Sequence, residues 1–257
     1  MHLIAVDIGN SQIKIGLFAA SADHAVALQS IHVEIIDLNS EICWDRFRQL
    51  LAGDAKVSGV IAATNPQHMD RISDSWPPDW SQPLQRVERN RLPIATAVPT
   101  PAQVGIDRLL NAIASNRHRQ TDQATIIVDS GTATTIDLVS DQGIFQGGAI
   151  LPGLALSARA LHEYTALLPL IPLEALPQHC PPLGRATEPA ICSGLLWGHV
   201  GAIRELTSHY LAASPNGAEL ILTGGAADLL HAHFPEFTLR KHLALEGLAI
   251  YGSTVPQ

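Results

Sequence analysis

No G-x-x-x-x-G-K-[ST] segment occurs in the 257 residues, and no G-x-G-x-x-G follows a strand-like run. The P-loop and Rossmann ways of holding phosphates are therefore excluded. Cysteine is scarce: Cys43, Cys180 and Cys192 are odd in number, lack C-x-x-C spacing and sit in apolar surroundings. They read as ordinary reduced residues and give neither a disulfide framework nor a zinc site. Positive charge is also sparse, with 16 Lys and Arg scattered against 24 Asp and Glu for a net charge of −8. Without a basic stripe to meet a phosphate backbone, nucleic acid is not an expected partner. No apolar run approaches the roughly 18 residues of a membrane span, and MHLIAVDIGN enters a strand pattern with no basic leader or cleavage site. A cytoplasmic protein with no membrane partner is expected.

What is present is 46% hydrophobic and only 16% charged, which excludes disorder and fits one large α/β domain or two small ones. Leu3 to Val6 is a short apolar run ending at Asp7-Ile8-Gly9-Asn10-Ser11, after which Ile13, Ile15 and Leu17 alternate as a half-buried strand does. The same plan returns at Ile126-Ile127-Val128-Asp129-Ser130-Gly131-Thr132, with Thr134, Ile136 and Leu138 alternating beyond it. The two copies align imperfectly, by one or two places, yet each is strand, Asp-x-Gly turn, strand. The repeat suggests a duplicated domain, with expected halves at 1–117 and 118–257, although a self-match this short can also arise by chance.

Elsewhere, Val57 to Ala63 reads as a buried strand and Ser75 to Pro83 as a loop, since Pro77, Pro78 and Pro83 deny it regular pairing. Ile106 to Arg117 reads as a helix with Leu109, Leu110, Ile113 and Ala114 on one face. Another helix is expected after Gly153, and a loop over the proline-rich 169–182. Thr187-Glu188-Pro189 looks like a capped start for a helix running to about Ala213. Its Ser193, Gly194, Gly198 and Gly201 weaken helix propensity, and the expected compensation is close packing of another backbone. Glu219 to Thr223 is a strand delivering Gly224-Gly225 to a helix at 226–233.

Phosphate chemistry can be read from the turns themselves. In Asp7-Ile8-Gly9-Asn10-Ser11-Gln12-Ile13-Lys14, Gly9 lets the main chain approach an anion, Ser11 and Gln12 supply donors and Lys14 supplies charge. Asp7 can orient a hydrated magnesium ion. The second turn offers Asp129, Ser130, Gly131, Thr132 and Thr134. Either turn alone is most simply a hairpin; together with the strand-Gly-Gly-helix junction they resemble the phosphate and adenosine motifs of the superfamily of sugar kinases, actin and heat-shock ATPases. His231-x-His233 falls in a helix and reads as no metal site, and His162, His199 and His209 read as ordinary polar or core residues.

Within that superfamily the chain is most similar to the type III pantothenate kinases. Five motifs run in order: Asp7-x-Gly9-Asn10-Ser11-x-x-Lys14; Gly105-Ile106-Asp107-Arg108; Asp129-Ser130-Gly131-Thr132-Ala133-Thr134-Thr135; Gly147-Gly148-x-x-x-Pro152-Gly153; and Thr187-x-x-Ala190-x-x-Ser193-Gly194. The resemblance implies a duplicated ribonuclease-H-like (actin-like ATPase) α/β fold with mixed sheets flanked by helices. It also implies a homodimer that phosphorylates pantothenate with ATP, the first step of coenzyme A synthesis, using magnesium and a monovalent cation, potassium or ammonium.

By the same resemblance, Asp7 to Lys14 (with Ile8 and Ile13 inside the motif) and Thr132 contact ATP. Gly105, Ile106, Asp107, Arg108 and Thr187 contact pantothenate, Asp107 is the general base, and Asp129 holds the monovalent cation. One position departs from the family: Val98 stands three residues before Pro101, where an aromatic residue is usual. Two other functions stay open at this point, a kinase of this family with an altered alcohol substrate and a catalytically silent nucleotide-binding regulator.

Overall fold

A computed structural model of the chain describes residues 2–20, 28–51, 56–119 and 122–254. These form two units: the described residues within 1–94, 100–117 and 243–257, and those within 95–99 and 118–242. The linear division expected at 117/118 differs in two places. The last helix returns to the first unit because its apolar residues complete that unit's core, and the short stretch 95–99 belongs with the second.

In the first unit, β1 (His2–Ile8), β2 (Gln12–Ala20) and β3 (Leu28–Asp37) form an antiparallel meander. Strands β4 (Val57–Ala63) and β5 (Leu84–Arg86) add in parallel on the other side of β1, giving the order β3-β2-β1-β4-β5. Central β1 is apolar at nearly every position because both its faces are covered. One face sets Ile4, Val6 and Ile8 with Ile13, Ile15, Leu17 and Ile61 against Phe47, Trp44 and Trp76. Trp44 and Phe47 stand on α1 (Trp44–Leu50), and Trp76 on the expected proline loop just after α2 (Met69–Asp74). The other face, Leu3, Ala5, Phe18, Val60 and Ala62, is covered by α3 (Ile106–His118) through Ile106, Leu110 and Ile113 and by the carboxy-terminal helix through Leu245, Leu248 and Tyr251. These two helices touch closely, for a Cβ on Gly247 would lie 2.0 Å from the Leu110 carbonyl oxygen.

The second unit repeats the plan. Strands β6 (Ala124–Ser130), β7 (Ala133–Val139) and β8 (Phe145–Pro152) are the antiparallel meander, and β9 (Ala218–Thr223) and β10 (Thr238–Leu239) add in parallel beside β6. The duplication is therefore a repeat of topology, and the imperfect alignment of its turns has a geometric cause. Ile8 pairs with Ile13 around residues 9–12, whereas Ser130 pairs with Thr134 around residues 131–133. The second turn is one residue shorter.

Helices α4 (Leu154–Glu163), α5 (Thr187–Ala212) and α6 (Ala227–His231) follow, and the last helix of the first unit is α7 (Leu243–Thr254). Ile126, Val128, Ile136 and Leu222 of the second sheet pack with Leu154 and Ala158 of α4, Leu196, Val200 and Ile203 of α5, and Leu230 of α6. The expected close packing along α5 is not observed: a Cβ added at Gly194, Gly198 or Gly201 meets no described atom within 4 Å. Those three glycines lie on its exposed side, while Ser193 is buried and donates to the Pro182 carbonyl at 2.7 Å.

Candidate active site

The first unit presents the turn Gly9–Gln12, closed by the Gly9 N–H donating to the Gln12 carbonyl at 3.0 Å. Asn10, Ser11 and Gln12 are exposed. Asp7 and Lys14 are direct cross-strand partners, which puts both side chains on one face of the sheet. It is the face of Leu3 and Ala5 on which Ile106 packs. Asp7, Lys14 and the first turn of α3 thus lie on the same side of β1. Ile8 and Ile13 point the opposite way into the apolar core, so only their main chain is available to a ligand.

Asp107 and Arg108 occupy the first turn of α3 and are half-buried. The Asp107 carboxylate accepts the Arg108 N–H at 2.9 Å, and the helix dipole favours its charge there. Gly105 leaves room for that arrangement, since a Cβ on it would fall 2.5 Å from Asp107 Oδ1.

In the second unit three glycine motifs converge on one turn. The Gly131 N–H donates to the Ala133 carbonyl and the Gly153 N–H to the Thr132 carbonyl, both at 3.0 Å, and the Ala226 N–H donates to the Ser130 carbonyl at 2.9 Å. Gly224, at a φ of +96°, sits so close that a Cβ would lie 2.5 Å from Asp129 Oδ1 and from the Ser130 carbonyl oxygen. The residues after β8 and β9 therefore brace the turn, leaving Thr132 exposed at its tip and Asp129 half-buried at its base. Below it, His199 of α5 places Nε2 at 3.0 Å from Thr134 Oγ1 and 3.5 Å from Ser130 Oγ, and the two hydroxyls are 3.1 Å apart. Burial lowers the pKa of the His199 imidazole, which favours its neutral form.

His199 is the participant that motif reading passes over. Its signal is helical spacing, since it stands among the buried Leu196, Val200 and Ile203, and a ring so placed needs a polar partner. Val98 reaches this unit too, its Cγ1 lying 3.3 Å from where a Cβ of Gly147 would be.

Thr187 is corrected. It is the first residue of α5 and exposed, the cap position is Ala186, and no side chain caps the helix. The chain enters through Gly184, which packs so tightly on Ala190 that a Cβ there would lie 2.3 Å from the Ala190 nitrogen, and this close approach sets the entry in place of a hydroxyl. His231 and His233 are likewise engaged elsewhere, through Nε2 contacts of 3.1 and 2.8 Å with the Phe237 and Gln178 carbonyls. Among the described residues no group of three or more His, Cys, Asp or Glu gathers to hold a metal. Nor is any helix among them long and apolar enough to cross a membrane.

Two sheets of one topology, each with an Asp on the first strand just before the turn to the second, define the actin-like ATPase fold to which sugar kinases belong. Solved structures agree at this level. A Campylobacter jejuni protein described as a Baf family transcriptional activator matches with a TM-score of 0.59 at 18% identity, covering 97% of each chain. The activator of 2-hydroxyisocaproyl-CoA dehydratase from Clostridium difficile, with bound ADPNP, matches with a TM-score of 0.53 at 12% identity, covering 98% of this chain and 95% of that one. Such identities speak to fold alone.

Sequence relatives are more specific. The type III pantothenate kinase family profile matches residues 3–209. The type III pantothenate kinase of Desulfosudis oleivorans is 30% identical over 98% of this chain and 99% of its own. That of Acidiphilium cryptum is 36% identical over 77% and 72%, and that of Dehalococcoides mccartyi strain 195 is 31% identical over 96% of each. The chain belongs to the type III pantothenate kinase family. Its activity is the phosphorylation of pantothenate by ATP, a reaction that also calls for a divalent cation.

Proposed function

We propose that the described turns and helix starts divide this reaction as follows. The main chain of Asp7 to Lys14, the Lys14 ammonium and Thr132 hold the phosphates of ATP; Gly105, Ile106, Asp107, Arg108 and Thr187 hold pantothenate. Asp107 is the general base. The observation that supports this reading is that Asp7, Lys14 and the first turn of α3, which carries Asp107, lie on one side of β1.

The pantothenate hydroxyl oxygen bonds to the γ-phosphorus as the bond from that phosphorus to the β–γ bridging oxygen breaks, and ADP departs. The hydroxyl proton passes to the Asp107 carboxylate. Lys14 and the main chain of the first turn offset the phosphate charge. Asp7, almost fully buried beside Lys14, would hold a hydrated magnesium ion that would screen the phosphate charge when bound.

A monovalent cation, potassium or ammonium, belongs at Asp129, whose carboxylate lies beside Gly224; an oxygen donor of this kind suits a hard cation. Replacing potassium by sodium is expected to lower the rate sharply, and Asp129→Ala to lower it and remove the potassium response, both read by ADP release. An Asp129→Ala enzyme with the normal rate and response would refute the assignment.

Thr187→Val separates binding from stability. Since the threonine caps nothing, the melting free energy should change by no more than about 0.5 kcal/mol, while KM for pantothenate rises and KM for ATP does not. An unchanged KM for pantothenate removes Thr187 from the site. The enzyme acts in the cytoplasm, where its nucleotide is supplied, as a homodimer. Support for the dimer comes from Tyr164 at 85% and Leu167 at 91% exposure, large apolar side chains that a second copy would cover, and from the open glycine face of α5.

A further inference from the structure

We infer that His199 is a positioning residue for ATP: from inside the second unit it sets the width of the second phosphate turn through Thr134 and Ser130. This rests on the reading that the turn holds phosphates. Ser130 and Thr134 are the cross-strand pair at which β6 and β7 close onto the turn. Their side chains continue the rows Ile126, Val128 and Ile136, Leu138, whose other members are apolar. Both hydroxyls are fully buried and His199 is 8% exposed.

Three mutually bonded polar groups at the tip of an otherwise aliphatic face do not arise from packing. Valine in place of Ser130 or Thr134 and leucine in place of His199 would fill similar space without polar groups to desolvate. What the polar set adds is direction. One hydroxyl hydrogen bond fixes each strand end, and the imidazole, carried on a 26-residue helix, anchors both to a rigid element. Residue 131 follows directly on one of the clamped strands, and Ala133 precedes Thr134 on the other, so a shift of this pair moves Thr132 and the Gly131 main chain together. His199 touches hydroxyls and not the nucleotide, so its effect should appear in ATP binding while the pantothenate residues are undisturbed.

The test compares His199→Leu with His199→Gln, whose amide nitrogen reaches about as far as Nε2, and His199→Asn, which is polar but too short to reach Thr134. Steady-state kinetics give KM for each substrate, calorimetry gives the Kd of ADP, and thermal melting checks folding. His199→Leu and His199→Asn should each raise KM for ATP and Kd for ADP by about tenfold, the scale of one lost buried hydrogen bond. KM for pantothenate should stay within about twofold, and His199→Gln should restore ATP binding to within about threefold.

If the leucine variant does not fold, the contrast between glutamine and asparagine decides. Equal nucleotide binding by those two, or wild-type binding by a folded leucine variant, overturns the inference. Gly131→Val tests the underlying reading separately. If it leaves ADP binding intact, the turn holds no phosphate and the inference falls with it; if it weakens ADP binding while His199→Leu does not, only the role of His199 is lost.

Discussion

Asp107→Asn is expected to lower kcat by about 10²-fold or more while leaving the fold and ATP affinity intact. An alcohol is a poor nucleophile, and even through a loose transition state its proton must leave by the end of the step. A carboxylate within hydrogen-bond reach aligns the oxygen and takes the proton; an amide of nearly the same shape aligns but cannot accept. The local geometry makes the variant clean, since the side-chain oxygen of asparagine can keep the 2.9 Å bond that Asp107 accepts from the Arg108 N–H. The competing role for Asp107 is to complement the α3 dipole, worth about 0.3–1 kcal/mol at an accessible helix end. That role predicts a slightly less stable enzyme with a normal rate, so kcat and the melting temperature of the one variant separate the two.

The second large effect is expected at Gly153. Its φ of −68° and ψ of 168° are open to any residue, so the constraint is space and not conformation. A Cβ would lie 2.3 Å from the Gly131 carbonyl oxygen and 2.6 Å from that of Thr132, and these are main-chain atoms that cannot rotate away. Gly153→Ala must therefore push the second turn off the start of α4 and break the bond from the Gly153 N–H to the Thr132 carbonyl. Overpacking of this kind costs about 1–3 kcal/mol, and displacement of the turn should raise the Kd for ATP by about tenfold or more. Urea denaturation and calorimetry read the two effects. Normal stability and normal ATP affinity would show that the close approach of Gly153 to the turn has no consequence.

These expectations show which features the sequence carries and which it conceals. Val57–Ala63 is legible to the residue because a short, largely apolar run with β-branched Val57, Val60 and Ile61, bounded by polar Lys56 and Thr64, reads as a strand covered on both faces. The first strand pair is legible because Ile13, Ile15 and Leu17 alternate, and α3 because its apolar residues recur at helical spacing. The return of α7 to the first unit is not legible: Leu243–Thr254 is apolar nearly all round, and periodicity does not say which of two similar cores it covers. The cap at Thr187 fails for a local reason, because hydroxyl-then-proline spelling cannot reveal that Gly184 packs against Ala190 and settles the helix start one residue earlier.

The candidate site divides along the same line. Asp7, Lys14, Asp107, Asp129 and Thr132 stand out as charged or hydroxyl residues at strand ends and a helix start, where apolar patterning stops. The bracing of the second turn by Gly153 and Gly224, and its anchoring by His199, depend on contacts across 22, 94 and 65 or more positions of sequence, such as the 65 between Thr134 and His199. No spacing rule reaches that far. Val98 beside Gly147 belongs to the same group, an approach of two segments that only the fold brings about.

The most direct measurement of the account is ADP release from ATP with pantothenate and with a panel of related alcohols, in potassium and in sodium. The account predicts pantothenate-dependent release in potassium, little of it in sodium, and slower release with the other alcohols. Release driven best by another alcohol would contradict pantothenate as the substrate, and no pantothenate-dependent release in any salt would contradict the account as a whole.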